Sequence, residues 1–167
     1  LAQAAAMSGA LHAAGVLRDK MLRSMAAADV DAVCAPKALA ASHIHASMAC
    51  TPLEAVGLFS SVSATFGNVG QGNYAAANAY LDALASSRRR RGALCSSLQI
   101  PAVGDAGMGA ATFTKEQLNA VGGISLDEFA GYMTVSLAPA RAAAERTQAP
   151  LSLELLQGMA LPAVSEL

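Results

Sequence analysis

Tyr74 and Asn78 stand four residues apart in the segment NYAAANAYLDALASS, a spacing that places both side chains on one face of a helix, one turn apart. A tyrosine can deliver a proton, and an asparagine beside it can order water or relay protons. The phenol has an ordinary pKa of about 10, so it needs a nearby cation to work as an acid and base near neutrality. Upstream, Ser60 and Ser61 close an apolar stretch, and Lys37 ends the tripeptide Ala35-Pro36-Lys37. Taken singly, Tyr74 reads as an ordinary helix residue, Ser61 as a strand-end serine, Asn78 as a surface amide and Lys37 as a solvated charge. Only their joint occurrence carries chemistry.

Other constellations carry less. His43, His45 and Cys50 invite a metal reading, but a helix would put the two histidines on different faces, and no second ligand pair exists. No metal is expected. Ser60 and Ser61 lack the glycine-x-serine-x-glycine elbow of a hydrolase, and no acid and histidine follow in the usual order. The run Arg88 to Arg91 reads as the solvated basic end of a helix rather than a nucleic-acid patch.

The elements that must position these residues alternate. The segment from Leu1 to Met7 resembles a helix end, Ser8 and Gly9 a turn, and Ala10 to Ala14 a buried strand bounded by Gly15. Apolar residues at helical spacing run from Met21 to Met48, and Pro36 divides them into two pieces. Leu53 to Val62 reads as a second strand, followed by a loop with Gly67, Gly70 and Gly72. Asn73 is a candidate cap for the next helix, which ends at Gly92. A third strand at Ala93 to Ile100, a mobile glycine-bearing loop over Pro101 to Gly123, a helix at Leu126 to Leu137 and a last strand at Leu151 to Leu156 complete the order. Strands alternating with helices predict a parallel α/β sheet of three or four strands.

The 167 residues, 54% of them hydrophobic and 14% charged, suffice for one domain with a sizeable core. With 11 basic and 12 acidic side chains there is no global field to attract nucleic acid or an anionic membrane. No apolar run reaches the roughly 20 residues that span a bilayer. Cys34, Cys50 and Cys95 lack paired spacing and read as buried thiols of a reducing compartment, so a cytoplasmic location is expected. The chain opens in mid-pattern without a methionine, which suggests a fragment whose beginning lies upstream.

The stretch LFSSVSATFGNVGQGNYAAANAYLDALASSRRRRG, Leu58 to Gly92, strongly resembles the ketoreductase domains of type I modular polyketide or fatty-acid synthases, within the short-chain dehydrogenase/reductase superfamily. HAAGVLRD, His12 to Asp19, and the Ala35 to Lys37 tripeptide fit the same family in order and spacing. The resemblance implies a truncated Rossmann-like parallel sheet flanked by helices, a single partial catalytic domain over 1–167 that lacks the N-terminal nucleotide-binding strands, and a lid over about 104–123. It implies NADPH-dependent reduction of a β-ketoacyl thioester to a β-hydroxyacyl thioester. The partners would be an acyl carrier protein, presenting substrate on its phosphopantetheine arm, and the other synthase domains.

By the same resemblance Ser61 hydrogen-bonds the substrate carbonyl, Tyr74 gives it a proton, Lys37 is the cation beside the phenol and touches the nicotinamide ribose, and Asn78 orders water. Ala13, Ala14 and Gly15 would lie beside the cofactor, with Pro101 in the strand-end segment. Stand-alone short-chain dehydrogenases place lysine where Asn78 stands, so the synthase arrangement is the one followed.

Two departures matter. No glycine-x-glycine-x-x-glycine loop follows an opening strand, so the isolated chain is expected to be inactive and to bind NADPH poorly. Gln99 to Val103 replaces the family's asparagine-tryptophan-glycine-proline-tryptophan, which keeps an inactive structural subdomain as an alternative beside a stand-alone dehydrogenase. Asp19, at the end of Leu17-Arg18-Asp19, matches the final aspartate of ketoreductases that form a D-configured hydroxyl. Phe66 occupies the place of the tryptophan that marks the opposite class.

Overall fold

The computed structural model describes residues 7–51, 53–104, 107, 114, 116, 118 and 122–137. Its elements are β1 (Gly9–His12), a 3₁₀ turn (Leu22–Ser24), α1 (Ala27–Cys34), a π turn (Ala35–Leu39), α2 (Ala40–Ser47), β2 (Ala55–Ser61), α3 (Ser63–Phe66), α4 (Gly72–Arg90), β3 (Ser96–Ile100) and α5 (Leu126–Leu137). The expected helix end at 1–6, the last strand at 151–156 and most of the region 104–123 lie outside the described residues.

The three strands form one parallel sheet in the order β1-β2-β3. Gly9 pairs with Ala55 and His12 with Leu58 on one side of β2, and Gly57 pairs with Ser96 and Ser61 with Ile100 on the other. Parallel neighbours need crossovers, and the helices supply them. Alternation along β2 divides its faces. Val56 and Leu58 pack with Ala41, Leu81, Ala85 and Cys95 against α2 and α4. Phe59 meets Phe129 of α5 edge to face, with ring centroids 5.6 Å apart. Both faces are covered, which is why the strand reads as a nearly continuous apolar run. Gly57 lets Leu137 and Leu11 lie close over the strand: a Cβ there would stand 2.7 Å from Leu137 Cδ2 and 2.8 Å from Leu11 Cδ1, so these side-chain ends would have to shift. Leu81 is fully buried, a placement worth about 1.5–3 kcal/mol relative to exposure.

Several local expectations are corrected. Gly9 opens β1 instead of making a turn, and the short helix α3 occupies part of the expected loop. Two α-helical pieces are present as read, but Pro36 does not break the backbone between them. It sits early in the π turn, where its missing N–H costs little, and Ala40 N–H reaches back to Ala35 C=O so that the helix runs on. Asn73 is not the cap of α4: the cap position is Gln71, and the buried Asn73 side chain accepts from Tyr74 N–H while its amide donates to two other segments. The helix does end as read, with Gly92 at φ 78°.

The arginine run is only partly solvated. Arg88 is buried with Nη1 2.7 Å from His45 Nδ1, and Arg89 Nη1 donates to Cys95 C=O at 2.9 Å, while Arg90 and Arg91 are exposed. Of the cysteines, Cys95 is buried, Cys34 half-buried and Cys50 exposed. Burial pushes the Cys95 thiol up to about 11 against the pull of Arg88 and Arg89, so it is a packing group. Among the described residues, no helix is long and apolar enough to cross a membrane.

Candidate active site

The carboxyl ends of parallel strands lie at one edge of the sheet, the place where open α/β sheets bind ligands. His12 ends β1, Ser61 ends β2, and Pro101 follows β3. The helices bring the rest to this edge.

Lys37 reaches it from the π turn. That turn changes the helical phase by one residue, and its geometry is held from outside, because the Lys37 carbonyl accepts from His12 Nε2 at 3.0 Å. The side chain is 3% exposed, donates from Nζ to Phe59 C=O at 2.8 Å and stands 5.3 Å from the centroid of the Tyr74 ring. Burial pushes its ammonium down to about 8, with Asp82 opposing. Gly15 leaves room for its stem: a Cβ there would meet Lys37 Cε at 2.9 Å.

Tyr74 and Asn78 project inward from α4, one turn apart, as their spacing requires. Tyr74 packs with Val33 and Ala77, with Leu17 and Cys34 alongside. Its phenol is raised above the usual value, first by burial. Asn78 and Ser61 oppose this, and Asp19 adds to it. The expected acidifying influence of Lys37 therefore does not prevail here, because burial dominates and the ammonium lies over the ring face. The consequence is a phenol that stays protonated at neutral pH. Asn78 is completely buried, its Nδ2 donates to Tyr74 C=O at 2.9 Å, and its Oδ1 has no partner among the described residues. Ser60 and Ser61 divide the work. Ser60 is buried and donates to Asn78 C=O at 3.3 Å, fixing β2 to α4, whereas Ser61 is half-buried at the strand end.

The rim carries residues that sequence reasoning missed. Asn73 Nδ2 donates to Arg18 C=O at 3.0 Å and Asp29 C=O at 3.1 Å, and its Oδ1 accepts from Tyr74 N–H at 2.8 Å. It thus ties the loop after β1, α1 and the start of α4 together beside the phenol. Gln71 Nε2 donates to Asp19 Oδ2 at 2.9 Å, and Lys20 N–H donates to Gly70 C=O at 2.8 Å, so the Asp19 loop is pinned three residues before Tyr74. Phe66, at the end of α3, is 39% exposed. Ala13 and Ala14 are exposed and Gly15 half-buried after β1, while Pro101 is buried. Gln99 is engaged at both ends of its amide, donating to Asp82 Oδ2 at 2.8 Å and accepting from Thr65 Oγ1 at 2.9 Å. No group of three His, Cys, Asp or Glu side chains among the described residues could hold a metal ion.

This geometry can be set beside known proteins. The model of the KR domain family matches residues 1–105. The chain is 50% identical over 92 residues to polyketide synthase GfsA of Streptomyces halstedii, covering 55% of this chain and 1% of that protein. It is 49% identical over 86 residues to the spectinabilin polyketide synthase system protein NorA' of Streptomyces orinoci, covering 52% of this chain and 2% of that protein. Among solved structures, an A-type ketoreductase from a modular polyketide synthase superposes with a TM-score of 0.68 at 38% identity, covering 74% of this chain and 27% of that one. The first ketoreductase of the tylosin synthase does so with a TM-score of 0.65 at 34% identity, covering 75% and 28%. The chain therefore spans about a quarter of the solved ketoreductases and a small part of the synthases it matches. With its parallel sheet and its strand-end cluster, it belongs to the ketoreductase domain family of modular polyketide synthases.

Proposed function

We propose that this chain is the catalytic part of an NADPH-dependent ketoreductase that reduces a β-ketoacyl thioester, presented on the phosphopantetheine arm of an acyl carrier protein, to the β-hydroxyacyl thioester. The observation that carries this reading is the convergence of Tyr74, Lys37 and Asn78 from two helices on the end of the strand that bears Ser61.

The residues fit part of the cofactor. The buried Lys37 amine suits the nicotinamide ribose, and the short side chains of Ala13 and Ala14 after β1 allow close approach of the adenosine and its ribose. Among the described residues, no set suits the pyrophosphate. When bound, NADPH supplies the hydride. The Ser61 hydroxyl donates to the ketone oxygen and stabilises the charge that develops there. Tyr74, held protonated, gives that oxygen its proton. Asn78 Oδ1, buried and without a donor, is the place for a water that returns a proton to the phenol. Lys37 would hold the ribose, and it keeps a positive charge beside the ring.

The test is reduction of a racemic 2-methyl-3-ketoacyl thioester by the intact synthase carrying this chain, followed as NADPH consumption and by chiral chromatography. Absence of NADPH-dependent reduction would refute the reading. The expected product has the D-configured hydroxyl, because Asp19 matches the marker aspartate of that class and Phe66 stands where the opposite class has tryptophan; Gln71 holds the Asp19 loop beside Tyr74. The A-type description belongs to a relative of 38% identity, whereas this outcome rests on the chain's own residues. A predominantly L-hydroxy product would overturn the stereochemical part alone.

The 167-residue chain without further sequence is expected to bind NADPH only weakly, with a Kd above about 100 μM. Fluorescence titration of the nucleotide measures it, and low-micromolar binding would show that the chain contains a phosphate site of its own.

A further inference from the structure

Ser61 is not alone at its strand end. Two residues on, Ser63 is 5% exposed, and it donates twice to the same atom: its backbone N–H lies 3.2 Å from Ser61 Oγ and its own Oγ lies 3.0 Å from it. A serine hydroxyl has one hydrogen to donate and two lone pairs to accept with. With both bonds running from Ser63 to Ser61, the acceptor positions of Ser61 are filled, and its hydrogen is left to face the Tyr74 phenol and a substrate oxygen. A ketone oxygen can only accept, so with substrate in place the bonds must run from Ser63 to Ser61 to the carbonyl. Ser63 is buried, so Ser61 takes the place of water as its partner.

Resting on the ketoreductase reading above, we infer that Ser63 is a positioning residue for Ser61: it locks the Ser61 rotor as a donor aimed out of the strand end and strengthens that donor by cooperative polarisation. A hydroxyl that accepts hydrogen bonds becomes a better donor, and the gain is largest when the oxygen it serves acquires negative charge. The effect therefore falls on the chemical step rather than on substrate binding. The local sequence hides this role, since Ser63 lies in a short helix after the strand and neither its spacing from Tyr74 nor its type marks it.

The test is made in the intact synthase carrying this chain, with Ser63→Ala, Ser63→Thr, Ser61→Ala and the double variant. Loss of a direct oxyanion donor costs about 10²–10³ in kcat, so a residue that acts through such a donor should cost less, about 5–10-fold. Ser63→Ala is expected to lower kcat by that amount with KM changed less than about twofold, an unchanged melting temperature, and a larger primary isotope effect with 4-deuterated NADPH. Ser63→Thr, which keeps the hydroxyl, should recover most of the loss. In the Ser61→Ala background, Ser63→Ala should have no further effect, because its lever is gone. Parental kcat in Ser63→Ala, or an equal additional loss in the Ser61→Ala background, would overturn the inference while leaving the ketoreductase reading intact. Full activity of Ser61→Ala would overturn both.

Discussion

Replacing Tyr74 with phenylalanine is expected to lower kcat for ketone reduction by about 10²–10⁴-fold, the usual share of a positioned proton donor, while NADPH affinity stays within about twofold. The change removes one oxygen and little else. The ring keeps its packing against Val33 and Ala77, and its face still meets the Lys37 ammonium at 5.3 Å. Losing the phenol hydroxyl also relieves a buried polar group of its desolvation cost, so the melting temperature should hold or rise slightly. The contrast between a lost rate and a kept fold is what identifies the hydroxyl as the acid rather than as a structural contact. Single-turnover measurements with saturating NADPH, together with a thermal melt, check both halves. Activity within about fivefold of the parent would remove Tyr74 from the mechanism.

Part of this site was legible in the sequence because it is set by local rules. The spacing of Tyr74 and Asn78 decides that they share a face of α4, and the glycine after the arginine run ends that helix where the left-handed conformation is needed. The helix read from Leu126 is present as α5, and Ser125 and Glu128 bond reciprocally at its start. Other features depend on partners far along the chain. Pro36 signals a break, yet the backbone continues through a π turn whose Lys37 carbonyl is satisfied by His12, 25 residues earlier. Asn73 has the residue type of a helix cap, and its side chain instead bridges carbonyls 55 and 44 residues away. Arg88 has the sequence signature of a solvated helix end, but the fold sets His45 against it. Of these, Asn73 was read correctly as a hydrogen-bonding group. Its partner was fixed by topology, which local spacing does not contain.

The same distinction governs Lys37, whose type suggests a solvated charge and whose place makes it a buried one. Its folded pKa of about 8 lies below the ordinary 10.5 because burial disfavours the charged form. The unfolded chain thus binds this proton more tightly than the folded one. The charged lysine costs stability below about pH 8, and that cost disappears as pH rises from about 8 to 10.5. Lys37→Met, similar in length and uncharged, should stabilise the fold at pH 7 by on the order of 1–3 kcal/mol, since one pKa unit corresponds to about 1.4 kcal/mol and the lost bond to Phe59 C=O offsets part of the gain. Above about pH 10.5 the gain should vanish. Activity moves the other way. Because the raised Tyr74 phenol keeps its proton well past neutrality, the decline of kcat/KM above about pH 8 should belong to Lys37. The methionine variant should be slower by about 10²-fold or more, with a weakened hold on NADPH, and the decline near pH 8 should be absent from its residual rate. Denaturant melts across pH 7–11 and kcat/KM profiles over the same range make the comparison. A less stable variant at pH 7, or one that retains the decline near pH 8, would show that the lysine is not the group that titrates.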